Sequence, residues 1–189
     1  MSLPNIISLG RLMSVPVAVY LILHGFLTAA FWLFVVAGIS DAVDGFIAKR
    51  FGQETPLGRY LDPLADKALL VGVYVTLGYT GYLPIWLVIL VVFRDLIIIG
   101  GVVLLHIFNE NIRMNPLFIS KANTTAQIVL VVVVLAELGV GVVLGPAVTT
   151  VLIYLTAMTT VASGGVYVLG WGRNVAAVTD SDQPMDSGR

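Results

Sequence analysis

The chain has 189 residues, 58% of them hydrophobic and 11% charged, with a net charge of -1 at pH 7 and a mean hydropathy of +0.98. Soluble domains carry about 25% charged residues, so this composition excludes an ordinary water-soluble fold and points to one helical membrane domain. With no cysteine and only two histidines, His24 and His106 near expected span ends, disulfides, thiolate chemistry and a histidine-based metal site are set aside.

A membrane helix needs about 20 apolar residues. Six stretches qualify, over residues 5–24, 27–49, 57–80, 84–107, 117–139 and 146–171. Breakers or polar residues stop each one: His24-Gly25, Lys49-Arg50, the segment 78–84 with Gly78 and Pro84, the segment 109–116, and the segment 139–146 with Gly139 and Pro146. A short interfacial helix over residues 4–11 is expected ahead of the first span. No basic residue precedes that apolar run, which argues against a cleaved signal segment. Residues 1–173 read as one domain, and 174–189 as a polar tail without the apolar content to fold.

Lys49, Arg50 and Arg59 surround the second-to-third connection, Arg113 and Lys121 the fourth-to-fifth, and Arg173 and Arg189 follow the last span. The other connections carry no Lys or Arg. Basic residues favour the cytoplasmic side, so both termini and the charged loops are expected there.

Four aspartates, Asp41, Asp44, Asp62 and Asp66, lie in or against these apolar runs. A carboxylate at mid-membrane costs roughly 2.5–3.5 kcal/mol on insertion scales. Asp41 and Asp44 are spaced i, i+3 near the end of span two; Asp62 and Asp66 are spaced i, i+4 near the start of span three. Each pair therefore projects from one helix face. On antiparallel helices both pairs reach a similar depth, roughly 10–15 Å below the helix ends at about 1.5 Å per residue. Carboxylates this close need neutralising cations, and an oxygen-only donor set favours hard ions such as Mg²⁺ or Mn²⁺. Gly45 and Ala48 clear space beside them, Lys49, Arg50 and Arg59 put positive charge at the rim, and Gly58 opens the first turn of span three. Simple ion pairing between helices, or a divalent-cation transporter, would also use intramembrane carboxylates. Neither needs the cleared space and basic rim.

At these residues the sequence resembles the CDP-alcohol phosphatidyltransferase family, whose signature is Asp-x2-Asp-Gly-x2-Ala-Arg-x8-Gly-x3-Asp-x3-Asp. Here the fixed positions are Asp41, Asp44, Gly45, Ala48, Lys49, Gly58, Asp62 and Asp66. Lys49 stands in place of Arg and keeps the charge but loses the planar fork, so Lys49 or Arg50 would take the phosphate contact. The resemblance implies an all-α integral membrane enzyme of six transmembrane helices, commonly a homodimer, with two divalent cations and a cytoplasm-facing site. It implies Asp41, Asp44 and Asp62 as metal ligands and Asp66 as ligand or general base. It also implies a CDP-diacylglycerol donor and a bacterial or mitochondrial inner membrane; no nucleic-acid partner is expected. Gly45, Ala48 and Gly58 would line the cytidine pocket.

The acceptor is read from outside the signature. The opening Pro4-Asn5-Ile6-Ile7-Ser8-Leu9-Gly10-Arg11 is similar to the start shared by the phosphatidylglycerophosphate synthase and cardiolipin synthase branches of the family. The stretches Phe93-Arg94-Asp95 and Phe118-Ile119-Ser120-Lys121, with the end of span six, resemble the cardiolipin synthase branch more. That implies phosphatidylglycerol as acceptor, with glycerol 3-phosphate the alternative. Asn5 and Arg11 would bound the donor pocket, or merely anchor the interface. Arg94, Arg113 and Lys121 would meet the acceptor; for Arg94 a plain structural pair with Asp95, and for Lys121 a snorkelling lysine, compete with that role.

Overall fold

Each apolar run forms a helix, because in a low-dielectric surrounding the backbone must satisfy its own hydrogen bonds. The computed structural model describes residues 3–51, 58–107 and 118–181; within these, the side chains of 3–8, 42, 44–51, 58–64, 101–107, 146 and 168–181 lie outside the description. The helices are α1 (Leu3–Leu23), α2 (Leu27–Phe51), α3 (Gly58–Tyr79), α4 (Ile85–Ile107), α5 (Phe118–Leu135) and α6 (Pro146–Ser181). The described residues contain no strand.

Two of the expected features differ. No separate interfacial helix precedes the first span: α1 is continuous from Leu3, and accommodates Pro16 in its interior. Nothing between Arg11 and Pro16 breaks the helix, and the Ser14 hydroxyl donates back to the Arg11 carbonyl at 2.6 Å. At the other end α6 runs to Ser181, past Asn174. The residues just beyond Asn174, Val175-Ala176-Ala177-Val178, contain no breaker.

The connections away from the charged loops are tight. Gly25 has φ 76; its N–H reaches the Ile22 carbonyl at 3.1 Å and that of Phe26 reaches Leu21 at 2.8 Å, the paired bonds of a Schellman cap. Gly81, φ 81, repeats the motif, with Gly81 N–H on Gly78 and Tyr82 N–H on Leu77. The end of α5 widens into a π-turn, Ala136–Val140, closed by Gly141 at φ 77.

α1 lies along α3, α5 along α6, and α4 against α6. Tyr74, Leu77, Leu87, Val91, Leu130 and Leu135 fill the centre, with almost no exposure. α2 meets the π-turn at its own N-terminal end. There the Thr28 hydroxyl donates to the Gly139 carbonyl, and a Cβ on Gly139 would stand 2.6 Å from the Leu27 carbonyl carbon and oxygen. Only glycine permits that approach.

The outside is apolar. Ile85, Trp86, Ile89, Phe93 and Leu96 of α4 are exposed, as are Val151, Tyr154, Met158 and Val161 of α6. Soluble proteins rarely leave so continuous a patch bare. Among the described residues two helical stretches are long and apolar enough to cross a membrane, Phe118–Val140 and Ala147–Tyr167, while Leu9–Leu23 and Leu27–Asp41 are shorter apolar helices.

Candidate active site

Three helices bring charged groups together. Arg11 comes from α1, Asp41 from α2, and Asp66 and Lys67 from α3. Arg11 is 6% exposed. Its Nη1 donates to Asp41 Oδ1 at 2.6 Å and also to Asp66 Oδ1. Asp41 and Asp66 thus meet on one guanidinium, while their side chains keep 42% and 41% exposure. Two carboxylates separated by 25 positions in sequence would repel if left alone; a cation between them is the electrostatic solution the fold adopts.

These four residues line one end of a cavity of about 540 Å³. Phe34, Val35, Ala37, Gly38 and Ile39 of α2, Leu69 and Leu70 of α3, and Thr124, Ile128 and Val132 of α5 line the remainder. α2 meets the π-turn at Leu27 and Gly139, and the lining begins further along α2 and α5, with Phe34 and Val132, and continues to Asp41 and Thr124. On α2 the charged group sits at the end of the lining away from that contact.

A second polar assembly abuts the first. Lys67 Nζ donates to Asp95 Oδ2 at 2.8 Å, and Arg94 Nη1 donates to Asp95 Oδ1 at 2.8 Å. Arg94 Nη2 donates to Ser120 Oγ at 2.7 Å and to Ser163 Oγ. Arg94 and Asp95 are each 4% exposed at the side chain, whereas Lys67 is 27% exposed and lines the cavity. Arg94 is not among the lining residues. Lys121 is exposed and lines a separate groove between α5 and α6, with Phe118, Thr125, Leu152 and Thr159.

The remaining expected site residues fall outside this description. Asp44, Gly45, Ala48, Lys49 and Arg50 lie in the helical backbone of α2, and Gly58 and Asp62 in that of α3, but their side chains are not described; the same holds for Asn5 in α1. Arg113 lies outside the described residues. Among the described residues no group of three or more potential metal ligands stands together. The part of the carboxylate set that is described does suit a hard cation: two oxygens accepting from one nitrogen are close enough to share one positive charge. Arg11 Nε is buried without a partner among the described residues, a spare donor beside the carboxylates.

Sequence reasoning assigned no role to Lys67, Ser120 or Ser163. The signal for Lys67 was present: a lysine within an apolar helix must find a partner or line a polar space.

The sequence comparisons bear on this geometry. The family model for CDP-alcohol phosphatidyltransferase matches residues 1–162. The chain belongs to the CDP-alcohol phosphatidyltransferase family. Such proteins are membrane-associated and generally depend on divalent metal ions. The chain is 37% identical over 151 residues to the cardiolipin synthase (CMP-forming) of Rattus norvegicus, a match covering 71% of this chain and 50% of the relative. It is 34% identical over 193 residues to the probable cardiolipin synthase (CMP-forming) of Drosophila melanogaster, covering 89% of this chain and 57% of the relative. It is also 37% identical over 182 residues to the CDP-diacylglycerol--glycerol-3-phosphate 3-phosphatidyltransferase 1, chloroplastic, of Oryza sativa subsp. japonica, covering 86% of this chain and 55% of the relative. The chain spans about half the length of these curated relatives.

Proposed function

We propose that this phosphatidyltransferase joins CDP-diacylglycerol to phosphatidylglycerol, giving cardiolipin and CMP. The observation that carries the reading is the meeting of Asp41 and Asp66 on Arg11 at the charged end of an otherwise apolar cavity. A lipid with a phosphate head needs that division of surfaces. The relatives named cardiolipin synthase support the choice of acceptor.

In this reading Asp66 accepts the proton of the acceptor's glycerol hydroxyl. The freed oxygen bonds to the phosphorus that bears diacylglycerol, the bond from that phosphorus to the CMP oxygen breaks, and CMP leaves with the electron pair. Asp41, Asp44, Asp62 and Asp66 would hold two divalent cations, Mg²⁺ or Mn²⁺, whose chemistry is to neutralise the pyrophosphate and the departing phosphate. Arg11 holds the carboxylates of α2 and α3 in register with each other. Asn5, Gly45, Ala48, Lys49, Arg50 and Gly58 complete the donor site with Arg11. Six membrane spans, both termini on the cytoplasmic or matrix side, and a homodimer complete the proposal, with residues 1–173 as the catalytic domain.

The name of the rice relative supports a second acceptor, glycerol 3-phosphate. One experiment separates the two. Purified protein receives labelled CDP-diacylglycerol with either phosphatidylglycerol or glycerol 3-phosphate, and the lipid product is identified. Cardiolipin is expected from the first; product from glycerol 3-phosphate alone overturns the choice, and absence of CMP release from both overturns the reaction.

A further inference from the structure

Asp95 is a buried carboxylate with two cations on it. One salt-bridge partner would neutralise it, and Arg94 already does so with a 2.8 Å bond and almost no exposure. Lys67 then adds a second positive charge to the same carboxylate, at 2.8 Å. The Arg94–Asp95–Lys67 assembly therefore carries one net positive charge, and the abutting Arg11–Asp41–Asp66 cluster one net negative charge, which the divalent cations of the proposed reaction would take up. The positive excess is delivered at Lys67, the member of the three that lines the cavity. An ammonium has three donors, and among the described residues only Asp95 accepts from it. Two donors of a partly exposed ammonium thus face the cavity, where an anionic group can accept from them.

We propose that Lys67 binds the phosphate of the acceptor, and that Arg94 and Asp95 are positioning residues that fix its ammonium at the cavity wall. The inference rests on the phosphatidyltransferase reading and adds the group that recognises the second substrate. Geometry selects the acceptor over the donor. Lys67 follows Asp66 directly, with Cα atoms about 3.8 Å apart, and both line the same cavity. A phosphoglycerol head has its reacting hydroxyl and its phosphate separated by three carbons. With the hydroxyl at Asp66, the phosphate falls within reach of the neighbouring lysine. The anchoring is deep: Arg94 is tied to Ser120 on α5 and Ser163 on α6, so three helices behind α3 hold the lysine's partner. The role expected of Arg94, direct contact with the acceptor, passes in this arrangement to Lys67, with Arg94 acting through Asp95.

Steady-state kinetics of the full chain in mixed micelles test this, with donor and acceptor varied separately. Lys67→Met is expected to raise the KM for the acceptor at least about tenfold, the loss of one charge-assisted hydrogen bond, and to leave the KM for CDP-diacylglycerol within about twofold. Lys67→Arg is expected to restore most of the acceptor KM. A rise in the donor KM instead, or no change in either, overturns the proposal. A second measurement needs no variant. Lys67 of the wild-type protein is acylated with an amine-reactive reagent and the modification is read by peptide mass. Phosphatidylglycerol is expected to protect it and diacylglycerol, which has no phosphate, is not; equal protection overturns the proposal. Glycerol 3-phosphate in a parallel arm distinguishes a lipid phosphodiester from a free phosphomonoester, protection at the lower concentration identifying the source. Failure of the phosphatidyltransferase reading would appear separately, as absent CMP release by the wild type.

Discussion

Replacing Asp95 by leucine removes the one anion shared by Arg94 and Lys67. Both Arg94 and Asp95 are 4% exposed, so the guanidinium left behind cannot turn to solvent. Removing one partner of a buried pair costs about 3–5 kcal/mol. Arg94 retains its bonds to Ser120 and Ser163, which places the loss near the lower end, about 3 kcal/mol. For a chain of this size each kcal/mol moves Tm by about 2–4 °C, so Asp95→Leu should lower Tm by roughly 6–12 °C. The double variant Arg94→Met, Asp95→Leu removes both charges, and such apolar replacements are often near neutral. It leaves the two serine hydroxyls without their donor, a cost of about 1–2 kcal/mol, and should still recover roughly a third to two thirds of the single variant's loss. Tryptophan fluorescence during thermal unfolding in detergent measures both. A double variant no more stable than Asp95→Leu would refute the coupling, and with it the claim that the pair carries a buried charge balance. Its acceptor KM should stay high even where stability returns, because Lys67 is no longer held.

Asp66→Asn should reduce CMP release by about a hundredfold to ten-thousandfold, the usual contribution of a positioned base, with the protein still inserted and monodisperse; near-wild-type turnover would remove Asp66 from that role. Exhaustive chelation should stop CMP release and added Mg²⁺ or Mn²⁺ should restore it, whereas activity surviving chelation would take the four aspartates out of metal binding. Gly139→Val should destabilise the fold by about 1–3 kcal/mol through overpacking, since even a Cβ would lie 2.6 Å from the Leu27 backbone; an unchanged Tm would mean that α2 and the π-turn separate freely.

Helix positions were legible because apolar runs end at residues with evident stopping chemistry. Gly25 and Gly81 take the positive φ that a Schellman cap requires, and both sit in segments marked as breaks by sequence alone. The partnership of Asp41 and Asp66 was legible from spacing and antiparallel order. The identity of the group joining them was not: Arg11 lies 30 positions before Asp41, and only the packing of α1 along α3 brings it in. Periodicity says which face a residue takes, not which distant helix covers that face. The interfacial helix expected over residues 4–11 is instead the start of α1, where Arg11 is buried by tertiary contacts that the sequence alone does not give. Arg94 was recognised as unusual, yet its partners Ser120 and Ser163 lie 26 and 69 positions away. Neither serine has a local pattern to distinguish it from the other hydroxyls of its helix.

The contact between Leu27 and Gly139 has a consequence for the hydrocarbon part of any substrate. It closes the gap between α2 and the π-turn beyond the last lining residues, and Asp41 stands at the other end of the α2 lining. From Phe34, where the lining begins, to Asp41 the helix rises about 10 Å at about 1.5 Å per residue. A slot with a fixed floor is a ruler. In the proposed reading, a fatty chain whose head lies at Asp41 and Asp66 would have about that length of lined slot, and a longer one would bend out between the helices. The glycine that lets two backbones touch would thereby limit the acyl chain that lies straight in the slot.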